Sequence, residues 1–357
     1  MASCSDVDLE AIRARDAESG ATWFTGPASF TANAARDRRA LLAEIDRMCA
    51  PAPALPADGW FPPIVPARNK ARFPIYIVSK GRWQYERRLT IRALDEMRQP
   101  FRVIVEESQR DAYAREIGAE RVLVLPQSYK DSYDTFWPRP EPNRTGSGAA
   151  RNFAWDHSAA AGAEFHWVLD DNIDGWYRLQ RNLRHKVMSG VAFRAVEDFV
   201  ERYENIAISG HQYLMFLPRK YYFPAFTLNG KIYSSILIRN SAPFRWRGMY
   251  NEDVDLCLRA LKAGWCTATI NVFCANKIRT QVMGGGNTDE LYRQGTLDKS
   301  RMLAEMHPDV AKVTHKFGRD HHQVNWRAFR ANHLRPREGV RVPDADDEYG
   351  LQLRKVA

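Results

Sequence analysis

Two pairs of adjacent carboxylates carry the first signal of chemistry: Asp170-Asp171, closing the run FHWVLDDN, and Glu252-Asp253, inside YNEDVDLCLRALKAG. An apolar run that ends in acids reads as a buried strand presenting carboxylates at its tip, where open α/β folds bind ligands. Acids in that position hold a hard divalent cation against a phosphate. An acid at an exposed helix start can reach a hydroxyl within hydrogen-bond distance, as a general base must. Cations complete the set. FPIYIVS is followed by Lys80-Gly81-Arg82, with Ser79 at its end. Two cations at a strand's carboxyl end suit a phosphate or nucleobase. Arg151 and Asn152 open a helix after Gly148, and a helix N-terminus with a forked guanidinium attracts anions. FRVIVEES adds Glu106, Glu107 and Ser108 at a third tip.

Each feature also has a plain structural reading. D-D-N favours a turn. Asn251 is a good N-cap, and acids in the first helical turn complement the helix dipole. The site reading is preferred because polar groups fall at three successive strand ends of one sheet edge. GSGAAR (146–151) lacks the spacing of a dinucleotide-binding GxGxxG and has no Walker lysine, which excludes those two classes.

The elements that must position these residues follow from periodicity. FPIYIVS, FRVIVEES and RVLVLP read as strands, separated by helical spacing over Glu86–Met97 and Asp111–Ile117. This βαβαβ pattern predicts an open, mostly parallel α/β sheet with helices on both faces. A helix over 149–161, the strand HWVLDD, an amphipathic helix from Phe193 to Tyr203, and the strands NIAISG and KIYSSILIRN continue it. Helices over 252–263 and 298–306 complete the pattern. Six prolines between Pro51 and Pro66 mark an extended strap. The predicted layout is a helical and proline-rich extension over 1–70, a catalytic-type domain over 71–335 and a charged tail over 336–357.

The formal charge of +9 favours phosphate-bearing or polyanionic partners. The five cysteines include no CxxC pair, which argues against structural zinc and suits reduced thiols. No apolar run approaches the ~18 residues of a membrane span, and the N-terminus lacks a signal-peptide core. The expected location is the cytoplasm.

Beyond these readings, GSGAARNFAWDHSAAAGAEFHWVLDDN resembles the corresponding block of GT-A-fold glycosyltransferases that use nucleotide-sugars. YIVSKGRW, ARNFAWDHS with HWVLDDNI, NEDVDLCLRALKAGW, the Gly284–Asn287 glycine loop and FGRDHH together resemble the TET-associated glycosyltransferases of bacteriophages, which are similar to the GREB1 catalytic-like domain. The resemblance covers roughly residues 73 to 330. It implies transfer of a sugar to 5-hydroxymethylcytosine in DNA, at the hydroxyl made by a TET-type oxygenase. It implies Asp253 as catalytic base with Glu252 orienting the acceptor or the base. Ser79, Lys80, Arg82, Glu107, Arg151, Asn152, Asp170 and Asp171 would bind the nucleotide-sugar, and Glu107 leans the donor towards UDP. Mn²⁺ or Mg²⁺ would sit at Asp170 and Asn172, with His321 or His322 as a late ligand. Asn172 departs from the acid usual at its position. RWRGMY (245–250) and LPRKYYFPAF (217–226) offer cations and aromatics for DNA. Rival readings are a protein or glycan acceptor, nucleotidyl transfer, and a non-catalytic DNA-binding module.

Overall fold

The computed structural model describes residues 69–340, apart from 139–144, 181–182, 218–223, 279–296 and 317. The N-terminal extension up to residue 68, the Gly284–Asn287 loop, most of 217–226 and the tail from 341 lie outside the described residues.

The predicted βαβαβ start forms as β1 (Ile75–Val78), α1 (Leu89–Glu96), β2 (Arg102–Val105), α2 (Arg110–Ile117) and β3 (Val122–Val124). Then come α3 (Gln127–Asp131), α4 (Gly148–Ala160), β4 (Phe165–Asp170), β5 (Ile173–Gln180), β6 (Leu183–Val187) and α5 (Val191–Glu201). The chain continues through β7 (Ile206–Tyr213), β8 (Phe226–Leu228), β9 (Ser235–Arg239), α6 (Glu252–Lys262), β10 (Cys266–Lys277) and α7 (Leu297–Met306), then closes with β11 (Ala311–Lys316) and β12 (Arg319–Val324).

Ten strands make one sheet in the order β3-β2-β1-β4-β9-β7-β10-β5-β6, with β8 beside β10. β3, β2, β1 and β4 are mutually parallel. β9 runs antiparallel between β4 and β7. β10 is parallel to β7 and antiparallel to β5 and β8. The order reverses at β1: β2 lies on one side of it and β4 on the other. Such a switch point opens a crevice at the strands' carboxyl ends.

Alternation along the strands explains why both faces carry helices. Ile75, Ile77, Phe165, Trp167 and Leu169 enter one core with Leu94 of α1, Tyr113 of α2 and Phe193 and Phe199 of α5. Tyr76 and Val168 point the other way, against Ala150 and Ala154 of α4. Ile208, Ile236 and Ile238 pack on Trp155 of α4 and Leu256 and Ala260 of α6. Burial of such side chains stabilises by about 1.5–3 kcal/mol each. β11 and β12 form a separate hairpin. Among the described residues no helix is long and apolar enough to cross a membrane. Cys257, Cys266 and Cys274 are buried free thiols.

Candidate functional site

The β1/β4 crevice is closed by polar bonds from both tips. Ser79 donates from Oγ to Asp171 Oδ2 at 2.7 Å, and Arg82 Nη1 pairs with Asp171 Oδ1. Tyr113 Oη lies 2.6 Å from Ser79 Oγ and accepts the Arg82 N–H at 3.0 Å. Asp171 is buried, which raises its pKa despite the Arg82 and Ser79 contacts. The Thr90 hydroxyl of α1 donates to the Asp170 carbonyl at 2.6 Å, fixing the strand tip.

Asp170 faces the open side and is held by two cations. Arg151 Nη2 lies 2.7 Å from Oδ1, and Lys277 Nζ lies 3.1 Å from Oδ2. Burial alone would raise the Asp170 pKa, but Lys277 and Arg151 hold the carboxyl well below the usual range. Arg151 is buried and stacks on Trp246, its guanidinium carbon 4.6 Å from the ring centre. Its Nη1 also approaches Glu252 Oε1 at 3.3 Å. Ser147, just before α4, donates to the same Glu252 oxygen at 2.6 Å. The glycine-bearing loop and helix α4 therefore tie the β4 tip to the start of α6.

Asp253 follows Glu252, and its Oδ1 accepts the Val254 N–H at 2.8 Å. Burial, then the Glu252 charge, push its carboxyl up to about 6, against the pull of Arg151 and Lys299. A carboxylate with that pKa is ionised at neutral pH yet basic enough to accept a proton. Asn251 does not cap α6 with its side chain. It adopts a left-handed φ of 53° and its Nδ2 donates to the Lys299 carbonyl at 2.7 Å, joining α6 to α7. Ser234, beside Asp170, is also left-handed, with φ 62°. Non-glycine residues there store strain, a common mark of functional sites.

Several expected site residues are engaged elsewhere. The Asn152 amide donates to the Trp246 carbonyl at 3.0 Å and accepts the Trp246 N–H at 2.9 Å, so it fixes the 246 loop rather than facing the crevice. Glu107 is exposed, and its contact with Arg110 is 4.0 Å. Its neighbour Glu106 turns inward instead, onto Lys80 at 3.0 Å and Lys130 at 2.5 Å. His321 Nε2 accepts from Arg319 Nε at 3.2 Å. Burial, then Lys299 and Lys231, lower the His322 pKa to about 4.

The donor set does not fit the expected divalent cation. Both Asp170 oxygens face protein cations. Asn172 Nδ2 donates to the Ile278 carbonyl at 2.9 Å, and among the described residues its buried Oδ1 and the buried Asp174 Oδ1 have no hydrogen-bond partner. Among the described residues no three His, Cys, Asp or Glu side chains converge. A hard dication takes one or two carboxylates beside the substrate phosphates, and at this tip the Asp170 carboxylate is already shared between Arg151 and Lys277.

An aromatic shelf adjoins this centre. Tyr213 and Phe216 meet edge to face at 5.0 Å, and Phe216 lies 6.1 Å from Tyr233. The Lys231 ammonium sits over Phe216 and Tyr233 at 5.2 and 4.9 Å. Phe216 remains 46% exposed, unusual for so large an apolar ring.

Lys277, Ser234, Ser147 and Lys299 are not singled out by the sequence, and at the β2 tip the sequence favours Glu107 over Glu106. For Lys277 a signal existed: it ends CTATINVFCANK, a β-branched run with a cation at its tip, like Lys80 after β1.

The fold and site define an α/β protein with charged groups gathered in a crevice at the switch point of its sheet. The sequence model of the TET-associated glycosyltransferase family matches residues 73–286, more than half the chain. The protein belongs to that family. No curated protein matches it. Among solved structures, the crystal structure of mannose-1-phosphate geranyltransferase from Thermus thermophilus is similar at 13% identity, with a TM-score of 0.26. The match covers 57% of this chain and 57% of that one, so the chain spans little more than half of that protein.

Proposed function

We propose that the protein transfers a sugar from a UDP-sugar to the hydroxymethyl group of 5-hydroxymethylcytosine in DNA, inverting the anomeric carbon. One observation carries the reading: Arg151 contacts Asp170 at 2.7 Å and Glu252 at 3.3 Å, so the strand-tip acid and the α6 acids serve one cleft. The donor diphosphate lies across the tips of β1, β2 and β4. Asp253 takes the proton of the hydroxymethyl group as its oxygen bonds to the anomeric carbon. The bond from that carbon to the diphosphate breaks, and its electron pair leaves with the diphosphate. Glu252, fixed by Ser147 and Arg151, keeps Asp253 basic through its negative charge.

Three features favour a DNA acceptor: family membership, the net charge of +9, and the shelf of Phe216, Tyr233 and Lys231. The cytosine hydroxymethyl group projects into the major groove, and a cleft built for transfer calls for the base outside the stack. The exposed Phe216 ring with the Lys231 cation over it suits an unstacked base and its phosphate.

The test incubates full-length protein with hydroxymethylcytosine duplex DNA and a panel of UDP- and GDP-sugars, then weighs the digested nucleosides. A sugar-sized mass gain on hydroxymethylcytosine alone is the expected result. Donor hydrolysis without any DNA product would overturn the DNA acceptor and move the acceptor to protein or glycan.

A further inference from the structure

The diphosphate that departs in glycosyl transfer carries charge that must be neutralised. The crevice already contains a fixed cation suited to that task. Lys277 ends the longest strand, β10, and its ammonium lies 3.1 Å from Asp170 Oδ2 and 2.6 Å from Ser234 Oγ. It also lies 5.9 Å from the Tyr213 ring centre. Only 14% of its side chain is exposed, so the charge is held in place.

The backbone is built to aim it. The pairing of β10 with β5 slips between Asn276 and Lys277: Asn276 opposes Gly175, Lys277 opposes Ile173, and Asp174 is the extra residue. The bulge is on β5, opposite Lys277, and interrupts the ladder at the point where the lysine ends β10. The left-handed Ser234 supplies the second anchor from Oγ, while its carbonyl accepts the Asp170 N–H at 2.8 Å. Tyr213 Oη donates to the Lys277 carbonyl at 3.1 Å, and the Asn172 carbonyl accepts the Ile278 N–H at 3.0 Å. Four elements therefore converge on this one lysine.

We propose that Lys277, with Arg151, is the protein's own counter-charge for the leaving diphosphate, in place of a divalent metal ion. The inference rests on the nucleotide-sugar reading above. An ammonium has three N–H donors. Asp170 and Ser234 engage two, and the third meets a diphosphate oxygen. Asp170 then orients the ammonium rather than ligating a dication. Asn172 at the motif's last position agrees with this, because an amide hydrogen-bonded to the Ile278 carbonyl anchors the turn without adding a charged ligand.

The experiment titrates UDP, and GDP in parallel, into full-length protein by calorimetry, in excess EDTA and in Mn²⁺. Wild type is expected to bind one of them equally in both buffers. Lys277→Met should weaken binding about tenfold to a hundredfold, the effect of one charge-assisted hydrogen bond, without recovery in Mn²⁺. Lys277→Arg should retain most affinity. Wild-type binding that vanishes in EDTA and returns with Mn²⁺ would overturn the inference and leave the donor reading standing, and that result needs no variant. Unchanged binding by a folded Lys277→Met protein would overturn it too. Binding of neither nucleotide in either buffer would overturn the donor reading with it.

Discussion

Arg151 Nη1 and Glu252 Oε1 stand 3.3 Å apart, and the same guanidinium reaches Asp170 through its other terminal nitrogen at 2.7 Å. One buried side chain thus links the acidic tip of β4 to the acidic start of α6. Neither acid could be buried this closely to the other without it, because like charges in a low-dielectric site repel.

Removing Arg151 should therefore harm both fold and chemistry. Breaking a buried ion pair from one side costs about 3–5 kcal/mol. Arg151→Ala is expected to lose stability of that order in urea denaturation, and to lose transfer activity. Arg151→Lys should recover little, since an ammonium cannot span two carboxylates in a fork or stack as flatly on Trp246. A lysine variant with wild-type stability and rate would show that the fork is not needed.

Asp253 makes a separate prediction about pH. Its pKa of about 6 means that the base is lost below that pH, so kcat/KM should rise with pH through about 6 and then level. Asp253→Asn should lower kcat by about 10²–10⁴-fold and leave UDP affinity near wild type. A raised acid pKa also means that the native state binds the extra proton. Stability is thus lost as pH rises from the usual carboxylate range towards 6, and Asp253→Asn should unfold at a slightly higher temperature than wild type at pH 7. A lower melting temperature would point to a structural role.

Phe216 tests the shelf. Phe216→Ala removes an exposed ring, so little stability should change. Stacking contributes about 1–3 kcal/mol per base, which predicts a KM for hydroxymethylated DNA raised about tenfold or more, with UDP binding unchanged. An unaltered DNA KM would place the acceptor base elsewhere.

Acid should unfold the protein through two core histidines. His166 Nδ1 donates to Asn240 Oδ1, and His211 lies between Ser235 and the Ala192 carbonyl, stacked on Trp167. Burial lowers both pKa values to about 4. A histidine depressed in the native state contributes stability above its unfolded pKa, and loses it as pH falls from there towards 4. Each should cost about 2 kcal/mol by pH 5, measurable as the difference in urea stability between pH 7.5 and pH 5.

The strand tips were legible in the sequence because each signal is local. An apolar run long enough for one strand, followed at once by Ser79-Lys80, Glu106-Glu107 or Asp170-Asp171, needs no partner to be recognised. The choice between Glu106 and Glu107 was not legible, since the extended chain ends at Glu106 and Glu107 already opens a 3₁₀ turn over Glu107–Gln109, and only contact with Lys80 and Lys130 picks Glu106. β10 was missed for a related reason. Its Thr, Ala and Asn residues interrupt any apolar pattern, and it is a strand because both of its neighbours pair with it. Asn251 looked like a helix cap from its type alone, and α7 claimed its side chain.

The sequence by itself determined the alternation of strand and helix, the acidic tips and the family, since periodicity and short motifs are properties of contiguous residues. The tertiary structure alone decided which charges meet. Asp170 and Lys277 come from strands separated by β9 and β7 in the sheet order. Ser234 bridges them: its Oγ accepts from the Lys277 ammonium, and its carbonyl accepts the Asp170 N–H. Charge–charge distance follows from packing rather than from spacing along the chain, and at this site it separates a metal ligand from the partner of a lysine.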